Sequence, residues 1–136
     1  MADKTISGLT AVSSLDGTEP LPVVQSGSTK KATVSQLLTG QLITQSGTSR
    51  TLSATDNGKV IYCTSGSAVT ITCATGLGVG FNCTIIQGGA GKVTVAAGSA
   101  TLVSYSSLFS TMGQYAVISL ISPVADTFVA AGNLGL

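Results

Sequence analysis

The sequence predicts an all-β fold: an N-terminal extended arm with one short helix, followed by an antiparallel β-sandwich or small β-barrel of about seven strands. Three observations carry this. Short runs alternate apolar and polar residues with a period of two; Gly, Pro or an Asn-Gly pair lies between most of these runs; and no helical periodicity is present after residue 42. The charges divide the chain. Residues 1–50 hold Asp3, Lys4, Asp16, Glu19, Lys30, Lys31 and Arg50, whereas residues 51–136 hold only Asp56, Lys59, Lys92 and Asp126. The division defines an arm or small subdomain over 1–50 and a β domain over 51–136.

In the arm, Ile6-Ser7-Gly8-Leu9 is a short apolar segment, and Leu15-Asp16-Gly17-Thr18 has the composition of a turn. Leu21-Pro22-Val23-Val24-Gln25 consists of strand formers, but its proline confines it to an edge or an extended arm. Ser26-Gly27-Ser28 is a second turn. A short helix is predicted over 33–39, with Thr33 as its cap, Gln36 three residues on as in a capping box, and Gly40 as its stop. Residues 41–50 are polar and read as a linker, with Leu42-Ile43 as a possible short strand.

The β domain follows as a series of strands. Gly58–Cys63 comes after an Asn57-Gly58 turn signal. Ala68–Cys73 places Val69, Ile71 and Cys73 on one face and Thr70 and Thr72 on the other. Phe81–Ile86 places Phe81, Cys83 and Ile85 together. These six apolar residues form the predicted core. Lys92–Ala96 alternates again, and Thr101–Tyr105, Gln114–Ile121 and Thr127–Ala131 complete the set.

Composition narrows the function classes. Charged residues make up 8% of the 136, against roughly 25% in an ordinary soluble domain. The chain has 18 Ser and 19 Thr, so hydroxyls do much of the solvating. A net charge of +1 gives no electrostatic footprint for nucleic acid. The longest apolar stretch, Tyr115 to Ile121, is far shorter than the roughly 18 residues of a membrane span. The N-terminus has no basic region followed by an apolar one, so no secretion signal is expected. With no His, the commonest general base and the commonest metal ligand are both missing.

The motifs that invite a chemical reading fail on spacing. Gly88-Gly89-Ala90-Gly91-Lys92 resembles a phosphate-binding loop, but Ile86 stands where the motif needs Gly, and Val93 stands where it needs Ser or Thr. A hairpin turn is expected there, its glycines serving positive φ. Gly76-Leu77-Gly78-Val79-Gly80 lacks the third spaced glycine of a dinucleotide site and opens a strand, so it too is a turn. Cys63, Cys73 and Cys83 recur every ten residues without a fourth ligand. Core packing is the expectation for them, with one intrachain disulfide as the alternative. Asn82-Cys83-Thr84 matches a glycosylation sequon by chance in mid-strand. No Ser-His-Asp, Cys-His or paired-carboxylate set can be assembled. No enzyme activity, cofactor, metal or small-molecule substrate is therefore expected.

Ile6-Ser7-Gly8-Leu9, Leu15-Asp16-Gly17-Thr18-Glu19, Pro22-Val23-Val24-Gln25 and Gly27-Ser28-Thr29-Lys30-Lys31-Ala32-Thr33-Val34-Ser35-Gln36-Leu37 together resemble a segment of tailed-bacteriophage virion proteins. The second half is similar to phage structural domains through Asp56–Ile61, Ala68–Thr72, Gly78–Phe81 and Ile85–Thr94. The resemblance implies a virion protein made in the bacterial cytoplasm. A chain ending at Leu136 suits a head decoration (cement) protein on the outer capsid surface better than a whole fibre. The alternative is a tail-fibre, baseplate or other tail-appendage component for host attachment; a β-sandwich adhesion module unrelated to phage is a third reading. On the decoration reading the partners are the major capsid protein and further copies of the chain in a homotrimer, with no nucleic acid and no membrane. Ile6, Leu9, Leu21, Val23 and Val24 of the arm would contact the capsid by adding a strand to an exposed edge.

Overall fold

The computed structural model describes residues 20–33 and 41–136, in two units that divide between Gly40 and Gln41. The first unit contains a hairpin of β1 (Pro20–Gln25) and β2 (Ser28–Thr33), paired antiparallel from Pro20 opposite Thr33 to Gln25 opposite Ser28. Its two-residue turn, Ser26-Gly27, has positive φ at both positions (52° and 74°), the mirror-image turn whose twist matches paired strands. Gln25–Ser28 is then the hydrogen-bonded closing pair, and the pairs alternate along the ladder. Pro20 and Pro22 fall at non-hydrogen-bonded positions, so their missing N–H groups lie on the outer edge of β1. Thr33, expected to cap a helix, is the last residue of β2; the rest of the predicted helix 33–39 lies outside the described residues.

The second unit is wound as a coil. Its first turn is β3 (Leu42–Gln45) and β4 (Ser49–Thr51), its second β5 (Lys59–Cys63) and β6 (Val69–Thr72), and its third β7 (Asn82–Gln87) and β8 (Val93–Ala96). The first strand of each turn stacks parallel on the first strand of the next, in the order β3-β5-β7, and the second strands stack as β4-β6-β8. Residues 41–50, read as a linker, supply most of the first turn.

This overturns the expected sandwich or barrel: residues 41–136 form a β-solenoid of about three turns. The seven expected strands are all present, but the segments between the early ones are corners leading to the other sheet, not hairpins. Period-two alternation reports only that one strand face is buried. A parallel coil buries one face as well as an antiparallel sandwich does, so the period could not choose between them.

Register builds inward columns of like residues. Ile43, Ile61 and Ile85 align across β3, β5 and β7, while Ile71 aligns with Val95 and Val69 with Val93 across β6 and β8. The six predicted core residues, Val69, Ile71, Cys73, Phe81, Cys83 and Ile85, are all buried between the two sheets.

Five further strands, paired antiparallel except β9, then close the C-terminal end of the stack. These are β9 (Thr101–Ser104), β10 (Ser110–Thr111), β11 (Val117–Val124), β12 (Thr127–Gly132) and β13 (Leu134–Gly135). On one sheet β11 pairs antiparallel with β7, β12 with β11, and β9 lies parallel beyond β12; on the other, β10 pairs with β8 and β13 with β10. The result is a six-stranded and a five-stranded sheet. Phe81 and Phe128 meet edge to face between them, with ring centroids 5.9 Å apart.

The glycine cluster between β7 and β8 has a different role from the one expected. Gly88, Gly89 and Gly91 do not have positive φ. They let the third turn's corner pass against the backbone of the second: a Cβ on Gly91 would lie 1.9 Å from the carbonyl oxygen of Ser67, and one on Gly89 2.2 Å from that of Ser65. The Gly89 amide donates to Cys63 O (2.9 Å) and the Gly91 amide to Ser65 O (3.0 Å), locking the two corners together. Gly91→Ala is expected to destabilise the protein by about 2 kcal/mol or more, since a backbone must move. Gly66→Ala, with open space around its Cβ, is expected to change stability by less than about 0.5 kcal/mol. Urea denaturation midpoints check both, and equal midpoints would refute the close-approach role.

Candidate functional site

The described residues contain no cluster of three or more His, Cys, Asp or Glu side chains able to hold a metal. The three cysteines are free and buried, with no disulfide among them. Burial pushes the Cys63 and Cys73 thiols up to about 11 and Cys83 to about 12. The Asp56 carboxylate raises Cys83 further, whereas Arg50 partly offsets the effect of burial at Cys63. At neutral pH all three are thiols, not thiolates, and are poor nucleophiles and poor ligands.

Two buried polar arrangements were not foreseen from the sequence. Arg50 occupies the first-turn position of the column that continues as Ile71 and Val95, so a cation points where later turns carry aliphatic side chains. Its guanidinium binds the fully buried Asp56 carboxylate at 2.5 Å. Asp56 ends a short 3-10 turn (Ala54–Asp56) and also accepts from the Ser53 amide (2.9 Å) and the Ser53 hydroxyl (3.2 Å). Burial alone would raise the Asp56 pKa, but the bonds from Arg50 and Ser53 outweigh it and hold the group below its ordinary value of 3.8. The ion pair closes the open end of the coil.

The second arrangement joins Gln87 and Thr111, both buried. The Thr111 hydroxyl donates to Gln87 Oε1 and accepts from the Val93 amide (2.9 Å), while Gln87 Nε2 donates to Gly89 O (3.2 Å). These bonds tie the antiparallel cap to the third turn. They position backbone and meet no solvent-facing group.

The exposed features are the hairpin and two shallow grooves. Of the arm residues singled out for contact, Ile6 and Leu9 lie outside the described residues. Leu21 and Val24 are exposed on β1, and Val23 sits opposite Lys30. The expected strand addition is disfavoured along β1, because Pro20 and Pro22 remove donors from its outer edge. In the solenoid, a shallow groove of about 290 Å³ runs between β7 and β11, lined by Gly80, Asn82, Thr84, Ser119 and Ile121 with Cys83 and Leu120 beneath. A second, of about 250 Å³, is lined by Met112, Gln114, Tyr115 and Asn133 among others. Neither has a charged lining. No helix among the described residues is long and apolar enough to cross a membrane.

The sequence matches no family model, and no curated protein is significantly similar to it.

Asp56→Asn is expected to cost about 2–3 kcal/mol, because Arg50 would keep its charge without its partner. Since the folded-state pKa of Asp56 is depressed, its contribution is complete above the unfolded value near 3.8 and disappears as pH falls through the lower folded value. Stability measured from pH 7 down to about pH 2 should fall less steeply in Asp56→Asn than in the parent. An aromatic disulfide reagent at about pH 8 should leave the native thiols almost unmodified and label all three once urea unfolds the chain. Rapid labelling of the native protein would refute their burial.

Proposed function

We propose that this chain is a non-catalytic structural protein of a bacteriophage particle, a decoration protein that seats on the outer head surface as a homotrimer and bridges subunits of the major capsid protein. The observation that carries the reading is the β1–β2 hairpin, a two-stranded sheet among the described residues with exposed Leu21 and Val24. An isolated two-stranded hairpin is marginal in water, so one presenting apolar side chains gains stability when a partner covers it. Binding adds contacts that must break before the shell opens, and each copy contributes burial worth about 25 cal/mol per Å² of apolar area. Anything that binds only the closed shell shifts the equilibrium toward it. The scarcity of charge throughout the chain agrees with surfaces that become interfaces.

A second reading, a tail-appendage component, is favoured by the coil itself. Its first-turn strands β3 and β4 are sheet edges at one end of the stack, a geometry that a further turn can extend.

Co-sedimentation with purified phage heads and with purified tails separates the two. The decoration reading expects saturable binding to heads. Leu21→Asp combined with Val24→Asp should reduce head occupancy at least tenfold while leaving the far-UV spectrum unchanged. Binding to tails alone would replace the first reading by the second, and undiminished head occupancy in the double variant would remove the hairpin from the contact.

A further inference from the structure

The outward face of the six-stranded sheet is composed unlike an ordinary solvent face. The strand registers place its side chains in rows across the strands. One row is Leu42, Val60, Thr84, Ser119 and Ala131; another is Thr44, Tyr62, Ile86 and Val117; a third is Asn82, Ile121, Val129 and Val103. The unit's five charged residues, Arg50, Asp56, Lys59, Lys92 and Asp126, stand in none of these rows. Leu42 is 60% exposed, Ile121 48% and Val103 43%. Tyr105, directly after β9, is fully exposed at 106%.

A charge-free apolar face suits one partner above others, a second copy of the same chain. When copies meet around a symmetry axis, like residues approach each other, and any ionic group near the axis would meet its own kind. A partner of opposite charge has nothing here to recognise. Six strands about 4.8 Å apart, with about five residues each at about 3.3 Å, cover roughly 29 by 17 Å. That supplies the apolar centre of an interface whose full extent is about 800 Å² per partner. The β7–β11 groove, at about 290 Å³, lies below the usual range for cofactor sites and is shaped for a single side chain. Its Asn82, Thr84 and Ser119 offer hydrogen bonds, and its Ile121 offers an apolar wall. Tyr105 stands in the turn directly after β9, two residues past outward-facing Val103 and two strands beyond β11, and combines an aromatic ring with a hydroxyl, as interface anchors do.

We propose that copies of this chain associate through the outward face of the six-stranded sheet, with Tyr105 of one copy seated in the Asn82–Thr84–Ser119–Ile121 groove of the next. The inference rests on the homotrimer named above and supplies its surface. Each copy contributes a knob on its β9 side and a groove at β7–β11. The contact is heterologous and closes after three copies when the sheets face a common axis.

Sedimentation equilibrium of the full chain between about 1 and 100 µM tests this. The parent should have three times the 13.4 kDa chain mass. Ile121→Lys and Val103→Lys should each reduce it to the monomer mass with an unchanged far-UV spectrum. Tyr105→Ala should weaken association at least tenfold. Met112→Lys, exposed and off this face, should remain trimeric. If one lysine variant fails to fold, the other decides. A parent that stays monomeric at 100 µM, or a trimer that survives both lysine substitutions, overturns the proposal. A trimer that dissociates as stated but binds neither heads nor tails leaves this face established and removes the phage assignment instead.

Discussion

One turn of this coil presents only a few inward side chains, and they have nothing to lie against until a second turn stacks on it. The parallel ladders through β5 and β6 are therefore the constraint on which everything else depends. They bring Ile43, Ile61 and Ile85 into one column and Ile71 and Val95 into another, so each strand is buried by its neighbours in the stack as well as by the facing sheet. The corners must be correspondingly tight. Gly89 and Gly91 are where two turns come so close that no Cβ fits.

A coil of this kind has two ends, and the chain treats them differently. At the C-terminal end, β11, β12 and β9 extend one sheet and β10 and β13 the other, with Phe81 and Phe128 packed between. At the N-terminal end, the inward column ends in Arg50 paired with buried Asp56. A cation there tolerates water at the mouth of the stack better than a further isoleucine would. The ion pair also fixes the segment that leads from the first turn to the second, through the two bonds from Ser53.

Among the described residues, the buried polar and ionisable groups hold the fold together, and the proposed contacts lie on surfaces. The cysteines are protonated core residues, the buried amide and hydroxyl of Gln87 and Thr111 bond each other, and the Arg50–Asp56 ion pair is internal. The hairpin and the six-stranded face share the property that makes them interface candidates, exposed apolar side chains such as Leu21 and Val24 on the first and Leu42, Val103 and Ile121 on the second. They differ in chemistry. The hairpin carries Lys30 and Lys31 beside its apolar residues, whereas the sheet face carries no charge. That difference is why the proposed shell contact is assigned to the first and the proposed contact between copies to the second.

Much of the local structure was legible in the sequence. Alternation located β5 to β9, β11 and β12 and placed Val69, Ile71, Cys73, Phe81, Cys83 and Ile85 inside, because solvent exposure on one strand face constrains every second residue. The Ser26-Gly27 turn was visible from its composition. Strand direction was not, since a column such as Ile43–Ile61–Ile85 joins residues 18 and 24 positions apart and so leaves no fixed repeat to detect. For the same reason residues 41–50 looked like a linker: their strands are short, and an arginine stands where the other turns have aliphatic residues. The glycines of 88–91 looked like a hairpin turn at positive φ because close approach between distant backbones cannot be seen in a local window. Residue chemistry alone determined that this protein has short half-buried strands and little charge. Only the folded chain decided that those strands run parallel in a coil, because pairing direction depends on contacts between segments that the sequence keeps far apart.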